Sequence, residues 1–157
     1  MRPGGLTACA LLLLLAGCVA EPPPCTYTGK PDRAPSAGCL TVVHGQMLVI
    51  EGWNGRVSPP GGHTEPGESA QCAAQREAWE EAGLDLRVGR LVHTFDTGFN
   101  LYECAIHPDT GTIDPHAITE VRRAYWLPLA DFGRVRWRFP EQGRELMDII
   151  SQQSSKD

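Results

Sequence analysis

Apolar residues form short runs separated by turn-forming residues, and this pattern predicts a set of β-strands. Residues 39–43 and 47–50 are two such runs, and residues 44–46 between them are turn formers, which predicts a hairpin. Residues 51–60 contain Asn54-Gly55, a turn signal, and are predicted to form a loop. Further strands are predicted at residues 86–95, 100–106 and 122–127.

Two other segments have the pattern of helices. Residues 69–82 are rich in Ala and Glu and contain neither Pro nor Gly; a Ser suited to N-capping begins the segment and Gly83 follows it. Residues 140–151 place Leu146, Ile149 and Ile150 on one face of a second helix. Strands on both sides of a central helix, followed by a terminal helix, predict an α/β fold in which helices sandwich a mixed sheet.

The composition is that of one folded domain. The chain has 157 residues, of which 41% are hydrophobic and 21% charged, which is enough for a core and excludes a disordered chain. The formal net charge is -5, and Lys and Arg form no run. Because binding to a nucleic-acid backbone requires a basic surface, we expect no nucleic-acid partner.

The first residues are typical of an export signal: a positive start at Arg2, an apolar segment over residues 6–16, and small residues at its end. Cys18 follows Leu-Ala-Gly directly, which resembles the lipobox of bacterial lipoproteins. The resemblance implies that residues 1–17 are removed and that Cys18 is acylated, which gives a stable membrane anchor. In the lipoprotein pattern that this segment resembles, an Asp after the Cys retains the protein at the inner membrane. Residue 19 is not Asp, so the resemblance favours the outer membrane of a diderm bacterium, with the domain facing the periplasm. An ordinary cleavable signal and a misplaced start of a cytoplasmic protein are the alternatives.

The rest of the chain divides by composition. Residues 18–36 are rich in Pro and predicted to be a tether, residues 37–151 form the domain, and residues 152–157 form a short tail. Four cysteines then remain in an oxidising compartment: Cys25, Cys39, Cys72 and Cys104. They allow two disulfides in three pairings, of which Cys25 with Cys39 and Cys72 with Cys104 is the simplest locally. Free buried thiols are an equal alternative.

The candidate chemistry lies in and before the first predicted helix. Glu77, Glu80 and Glu81 are spaced at i, i+3 and i+4, so their carboxylates share one helix face and repel one another. A hard divalent cation such as Mg²⁺ would turn this repulsion into coordination. Glycines at positions 61, 62 and 67 let the preceding loop bend tightly and approach a ligand closely. Arg76 can pair with Glu80 or reach back to Glu68, and we interpret Arg76 and Glu68 as a brace between loop and helix.

This segment resembles the Nudix box, Gly-x5-Glu-x7-Arg-Glu-U-x-Glu-Glu-x-Gly-U, where U is a bulky aliphatic residue. The positions that match in register are Gly62, Glu68, Arg76, Glu77, Glu80, Glu81, Gly83 and Leu84. Ala78 is the one departure, because it is apolar but small. The resemblance implies a Nudix-type α/β/α sandwich and hydrolysis of a phosphoanhydride bond in a diphosphate-containing small molecule. It also implies Mg²⁺ or Mn²⁺ as the cofactor, held by the three helix carboxylates and the carbonyl of Gly61.

The remaining candidates are less specific. In the resembled family the general base is a box Glu or an acid on a later loop, and Glu120 is our candidate on a later loop. Arg122 and Arg123 could contact phosphates, although exposed strand-edge charges explain them equally simply. Trp53 and Trp137, in predicted loops, are candidates for stacking on a ligand ring.

Two other functions compete with a lipid-anchored hydrolase. A Nudix fold can serve as a binding module, but such modules commonly lose box carboxylates, which this chain keeps. A cytoplasmic housecleaning hydrolase would require a misplaced start. If the domain is outside the cytoplasm, isoprenoid or nucleotide-sugar diphosphates are the expected substrates, because nucleoside triphosphates are scarce there.

Overall fold

The computed structural model describes residues 21–154, which contain eight strands, two α-helices and one short 3₁₀ helix. The strands are β1 (Ser36–Leu40), β2 (Val42–Val43), β3 (Gln46–Gly52), β4 (Val57–Ser58), β5 (Gly61–His63), β6 (Leu86–Thr94), β7 (Phe99–Ile106) and β8 (Val121–Pro128). The α-helices are α1 (Ala70–Ala82) and α2 (Gln142–Ser154), and the 3₁₀ helix is Leu129–Arg134. The predicted signal peptide and Cys18 lie outside the described residues.

The strands form two sheets that α1 and α2 cover from opposite sides. The first sheet has the order β5-β1-β7-β6, with β1 and β7 parallel and the other pairs antiparallel. The second joins β2, β3 and β4, with β8 pairing to β3. Successive side chains of a strand point to opposite faces, so Leu48 packs on the α1 side while Met47 and Val49 pack on the α2 side. The predicted α/β fold with a mixed sheet is confirmed.

Helix α1 forms as the sequence predicts. The apolar part of its buried face consists of alanines, and these small side chains let the helix lie close to β1: Ala70, Ala73, Ala74, Ala78 and Ala82. The Ser69 hydroxyl accepts a hydrogen bond from the N–H of Cys72 at 3.2 Å, which caps the first turn. Gly83 ends the helix in the left-handed conformation, with φ of 71°, and donates its N–H to the carbonyl of Trp79.

Several predicted boundaries differ from the observed ones. The strand predicted at 39–43 is two elements, β1 and β2, and β1 begins three residues earlier. The loop predicted at 51–60 contains the end of β3 and all of β4, because β3 pairs with β8 up to Gly52 and β4 pairs with β3. Helix α2 begins at Gln142 and extends to Ser154, whereas residues 140–151 were predicted.

Part of the predicted tether lies against α1. The N–H groups of Thr26 and Asp32 donate to the side-chain oxygens of Gln75 and Gln71, at 3.0 and 2.9 Å. The amide of Gln75 donates in turn to the carbonyl of Pro24. Both glutamines are almost fully buried, at 1% exposure, so water cannot reach their side chains. The N-terminal segment supplies the hydrogen-bond partners instead. Composition does not reveal this role, because the partners are backbone groups.

The disulfides join Cys25 to Cys72 and Cys39 to Cys104. The locally simplest pairing, Cys25 with Cys39 and Cys72 with Cys104, is therefore wrong. Cys39 lies on β1 and Cys104 on the neighbouring parallel strand β7, two residues beyond the register partner of Cys39. Sheet topology, which sequence distance does not encode, brings these two thiols together.

Within residues 21–154, no helix has the length and apolar character that crossing a membrane requires.

Candidate active site

The glycine-rich loop and the C-terminal half of α1 face each other. Strand β5 is held by β1, with Gly62 opposite Ala37 in antiparallel register, and the chain then turns through residues 64–69 into α1. The polar face of α1 presents Arg76, Glu77 and Glu80 toward this turn. The structure therefore brings these three polar box residues of the helix to the turn, and the fourth, Glu81, contacts the loop at Gly61.

Arg76 is the centre of the network. Its guanidinium forms a two-pronged pair with Glu68, with Nε–Oε1 and Nη2–Oε2 distances of 3.0 and 3.1 Å. Its Nη1 donates both to Glu77 at 3.0 Å and to Glu80 at 3.2 Å. Nη2 also donates to the carbonyl of His63, at 2.9 Å. The predicted brace between loop and helix is present, and it contacts both Glu68 and Glu80 as well as Glu77, a partner that sequence spacing alone did not suggest.

Glu81 joins the helix to the other end of the loop. Its Oε2 accepts a hydrogen bond of 2.7 Å from the N–H of Gly61, and the residue is only 6% exposed. A side chain at Gly61 would collide with the ring of Phe99 and with the backbone of β1. A side chain at Gly62 would enter the space that the Glu77 carboxylate occupies. The glycines are thus required for close packing, because a Cβ at Gly61 would push the loop away from β1 and one at Gly62 would displace the carboxylate of Glu77.

Burial and mutual repulsion shift the pKa of two box carboxyls. Burial raises the pKa of Glu81 to about 8; the charges of Glu77 and Glu120 add to this, while the Gly61 hydrogen bond and the charge of Arg138 oppose it. Burial likewise raises the pKa of Glu77, with Glu80 and Glu120 adding to the effect and Arg76 opposing it. For Arg76, burial alone would lower the pKa, but the hydrogen bonds and charges of Glu68 and Glu77 raise it. The site thus holds more negative charge than one arginine balances.

The donor set fits a hard divalent cation. The side chains involved offer only carboxylate oxygens, and the pKa of two of them is raised partly by neighbouring negative charge, which a cation would offset. Glu77 and Glu80 now point to Arg76, and Glu81 points to Gly61. Accordingly, no three His, Cys, Asp or Glu side chains of the described range are already arranged as a cation site.

Glu120 belongs to a loop that docks on the C-terminal end of α1. The N–H groups of His116 and Ala117 donate to the carbonyl of Glu80, at 2.8 and 2.7 Å. Glu120 itself is exposed, and its charge raises the pKa of both Glu77 and Glu81. The structure therefore brings the candidate base to the same carboxylate group.

Other predicted candidates have structural partners. Arg122 and Arg123 both pair with Glu51, a buried carboxylate of β3, at 3.1 and 2.6 Å. Trp137 is not a loop residue open to ligands: it is 8% exposed and donates its indole N–H to the carbonyl of Phe132. Trp53 is 66% exposed and donates to the carbonyl of Ile118.

A cavity of about 390 Å³, which the sequence does not predict, lies beside the glycine-rich loop. Its lining includes Gly61 and His63, three aromatic rings (Phe95, Phe99 and Phe139) and Arg138. The charge of Arg138 reaches Glu81, so the cavity and the carboxylates adjoin. Separate segments contribute these residues, and no local sequence pattern marks them.

Residues 32–148 match the model of the NUDIX domain family. Among solved structures, a UDP-X diphosphatase shares 18% identity and a TM-score of 0.64, covering 83% of this chain and 68% of that one. A NUDIX-family hydrolase from Clostridium perfringens shares 19% identity and a TM-score of 0.62, covering 77% and 98%. An ADP-ribose pyrophosphatase from Streptococcus suis shares 19% identity and a TM-score of 0.59, covering 72% and 88%. The chain therefore belongs to the NUDIX domain family, and the prediction of a Nudix hydrolase is confirmed.

Proposed function

We propose that this protein hydrolyses a phosphoanhydride bond in a diphosphate-containing small molecule, with Mg²⁺ or Mn²⁺ as its cofactor. One observation carries the proposal. Three box carboxylates on one face of α1 lie against a glycine-rich loop, and the pKa of Glu77 and that of Glu81 stay raised although the charge of Arg76 opposes the first shift and that of Arg138 the second. Such an arrangement is costly for folding alone, but it is suited to binding a cation together with a phosphate group.

Glu77, Glu80 and Glu81 would hold the metal, with the carbonyl of Gly61 as a further ligand. When bound, Mg²⁺ or Mn²⁺ offsets the negative charge that develops on the phosphate oxygens and lowers the pKa of bound water. Arg76 orients Glu77 and Glu80 through Nη1, and Glu68 fixes Arg76 from the other side.

Glu120 would act as the general base. It is the exposed acid whose charge reaches both Glu77 and Glu81, so it can take a proton from a water that attacks phosphorus beside them. Arg138, at the boundary between the carboxylates and the cavity, would attract the phosphate oxygens of the substrate. The cavity beside Gly61 would hold the group attached to the diphosphate.

The substrate class follows from two considerations. The names of two structural neighbours, UDP-X diphosphatase and ADP-ribose pyrophosphatase, describe diphosphates that carry a nucleoside. If the domain faces the periplasm, nucleotide-sugar or isoprenoid diphosphates are the available forms. We therefore propose an extracytoplasmic diphosphate of one of these two kinds.

A substrate panel tests the activity. The purified protein is incubated with Mg²⁺ and with nucleotide sugars, isoprenoid diphosphates and nucleoside triphosphates, and released phosphate or monophosphate is measured. Glu80→Gln should lose at least about 100-fold in rate, since it removes a metal ligand, whereas Glu103→Gln, which lies in an exposed pair with Arg90, should keep the wild-type rate. Equal rates for wild type and Glu80→Gln would remove the proposed role of Glu80. Cleavage of triphosphates alone would reject the extracytoplasmic substrate, and binding without turnover would indicate a binding module.

The location is a separate proposal: a lipid anchor on Cys18 that holds the domain at the outer membrane, facing the periplasm. The Leu-Ala-Gly-Cys sequence supports it, as do the two disulfides, which are typical of proteins folded outside the cytoplasm. Metabolic labelling with a fatty-acid analogue should mark the wild type and the control Cys9→Ser but not Cys18→Ser. Unchanged label on Cys18→Ser, or no label on the wild type, would contradict the proposed lipid anchor and favour a cytoplasmic enzyme.

A further inference from the structure

We propose that Trp79 and His116 form a positioning pair that holds the loop of residues 114–120 against the end of α1 and so sets the position of Glu120. The inference rests on the proposed function, because it concerns how the general base reaches the carboxylate group. Neither residue belongs to the invariant letters of the box, and neither is proposed to touch the substrate.

The loop attaches to α1 through carbonyls that a helix end leaves without partners. The N–H of Asp114 donates to the carbonyl of Ala82 at 3.0 Å. Two more amides, those of His116 and Ala117, share the carbonyl of Glu80. A side chain at Gly83 would collide with the backbone of Asp114, so the loop lies directly on the helix end. These bonds fix the height of the loop along the helix axis.

Backbone bonds at one edge leave the loop free to rotate about that edge, and a ring contact opposes such rotation. The rings of Trp79 and His116 are stacked, with centroids 4.0 Å apart and an interplanar angle of 28°. Trp79 immediately precedes Glu80, whose carbonyl receives the loop amides, so the stack and the hydrogen bonds grip the same turn of α1. The loop is therefore held to α1 both by backbone hydrogen bonds and by a stacking contact between side chains.

A short turn connects the part of the loop that contacts α1 to Glu120. The N–H groups of Glu120 and Val121 both donate to the carbonyl of Ala117, at 2.9 Å each. The N–H of Ala117 donates in turn to the carbonyl of Glu80. Ala117 therefore links the backbone of Glu120 to the helix that carries the proposed metal ligands. On the far side, the indole of Trp53 donates to the carbonyl of Ile118 at 3.2 Å. Loss of the ring stack is therefore expected to displace Glu120 without unfolding the loop.

The test compares His116→Ala, His116→Phe and Glu120→Gln in the full chain, using the best substrate of the panel. His116→Ala should lower kcat by about 10-fold, with KM changed less than about 2-fold, because a base is displaced and substrate contacts remain. His116→Phe keeps a ring for stacking and should restore kcat to within about 3-fold of the wild type. His107→Ala, a histidine at the other end of the same connection, is the control and should leave kcat unchanged. His116 is exposed, so these variants are expected to fold.

The double variant separates positioning from an independent effect. Glu120→Gln should lower kcat by about 100-fold or more, as loss of a general base does, and adding His116→Ala should cost nothing further. Multiplied losses in the double variant, or equal rates for His116→Phe and His116→Ala, would overturn the inference. If Glu120→Gln lowers kcat and His116→Ala does not, the inference fails while the proposed function stands. If Glu120→Gln keeps the wild-type rate, the base assignment itself fails.

Hydrogen exchange gives a readout independent of turnover. In the metal-free protein, His116→Ala should speed exchange of the amides of residues 116–121, His116→Phe should not, and the amides of α2 should be unaffected in both. Unchanged exchange over residues 116–121 in His116→Ala would show that the stack does not hold the loop, whatever the activity data.

Discussion

The two halves of α1 bury polar side chains in opposite ways. In the N-terminal half, Gln71 and Gln75 are neutral, and neighbouring backbone groups and Asp85 satisfy their amides. In the C-terminal half, Glu77 and Glu81 are acids one turn apart whose charges repel, and their main partners are Arg76 for Glu77 and the N–H of Gly61 for Glu81. The polar groups of the first half find all their hydrogen-bond partners within the protein, whereas the acids of the second half keep an excess of negative charge.

This contrast separates stability from function on one helix. Buried neutral groups with full hydrogen bonding stabilise the fold, since removing a partner leaves a desolvated polar atom. Buried like charges destabilise it unless a ligand supplies the opposite charge. Substitutions in the N-terminal half should therefore change stability and leave turnover intact, and substitutions in the C-terminal half should do the reverse.

The largest effect is expected at Glu81. Glu81→Gln should lower the rate of hydrolysis by more than about 100-fold, because a proposed metal ligand is lost. The same variant should be at least as stable as the wild type when metal is removed, since the cost of burying an ionisable acid, which the raised pKa of Glu81 reflects, is gone and the amide oxygen can still accept from Gly61. Phosphate release and thermal unfolding in a chelator measure the two quantities. A variant that loses both activity and stability would break the comparison, because Glu81 would then be structural.

The next largest effect is expected on the N-terminal half. Replacing Cys25 and Cys72 together by Ser should lower the free energy of unfolding by about 2–4 kcal/mol, because the disulfide closes a sequence separation of 47 residues. Turnover at a temperature where the variant is folded should stay within about 3-fold of the wild type. Denaturant unfolding and steady-state kinetics test this, and reduction of the wild type should cost more than the variant does because it also opens the bond between Cys39 and Cys104. A loss of kcat in the folded variant would show that the strap of residues 24–35 also positions the site.

A pH dependence follows from the raised pKa of Glu81. Between its usual range and about 8, the folded state binds more protons at this group than the unfolded state, so stability of the metal-free protein should fall as pH rises through that window. The slope from one such group is at most about 1.4 kcal/mol per pH unit. Unfolding curves from pH 5 to about 9 should show this fall, and it should be smaller in Glu81→Gln or with Mg²⁺ present. A wild-type profile that matches that of Glu81→Gln would contradict the assignment.

The smallest effect is expected at Gln75. Gln75→Leu removes the amide that Thr26, Pro24 and Asp85 share, and should cost about 1–2 kcal/mol of unfolding free energy with no change in turnover. Gln46→Leu, at an exposed strand position, is the matched control and should change stability by less than about 0.5 kcal/mol. Equal values for the two variants would mean that the N-terminal segment adds little to stability.

Features that depend on neighbours in sequence were predictable. The bounds of α1 follow from Ser69 and Gly83, which act within one turn of the helix. The common face of Glu77, Glu80 and Glu81 follows from helical periodicity, as does the approach of Arg76 to Glu80. Most strands were placed within a few residues, although pairing with the distant strand β8 lengthened β3 and an unpredicted pairing with β3 created β4.

Features that depend on contacts between distant segments of the chain could not be predicted from the sequence. The partner of Cys39 is set by the parallel pairing of β1 with β7, and the partner of Cys72 by the path of residues 24–35 along α1. Burial decided that Trp137 belongs to the core and that Arg122 and Arg123 pair with Glu51. The cavity beside Gly61 is assembled from segments far apart in the chain.

The sequence by itself thus determined which groups are the candidates for the chemistry, because residue type and helical spacing place three acids and an arginine on one surface. Only the tertiary structure decided how strongly those groups interact and what surrounds them. The physical reason is that desolvation and charge coupling depend on which distant segments exclude water, and the loop that carries Glu120 meets α1 through contacts between segments far apart in the chain.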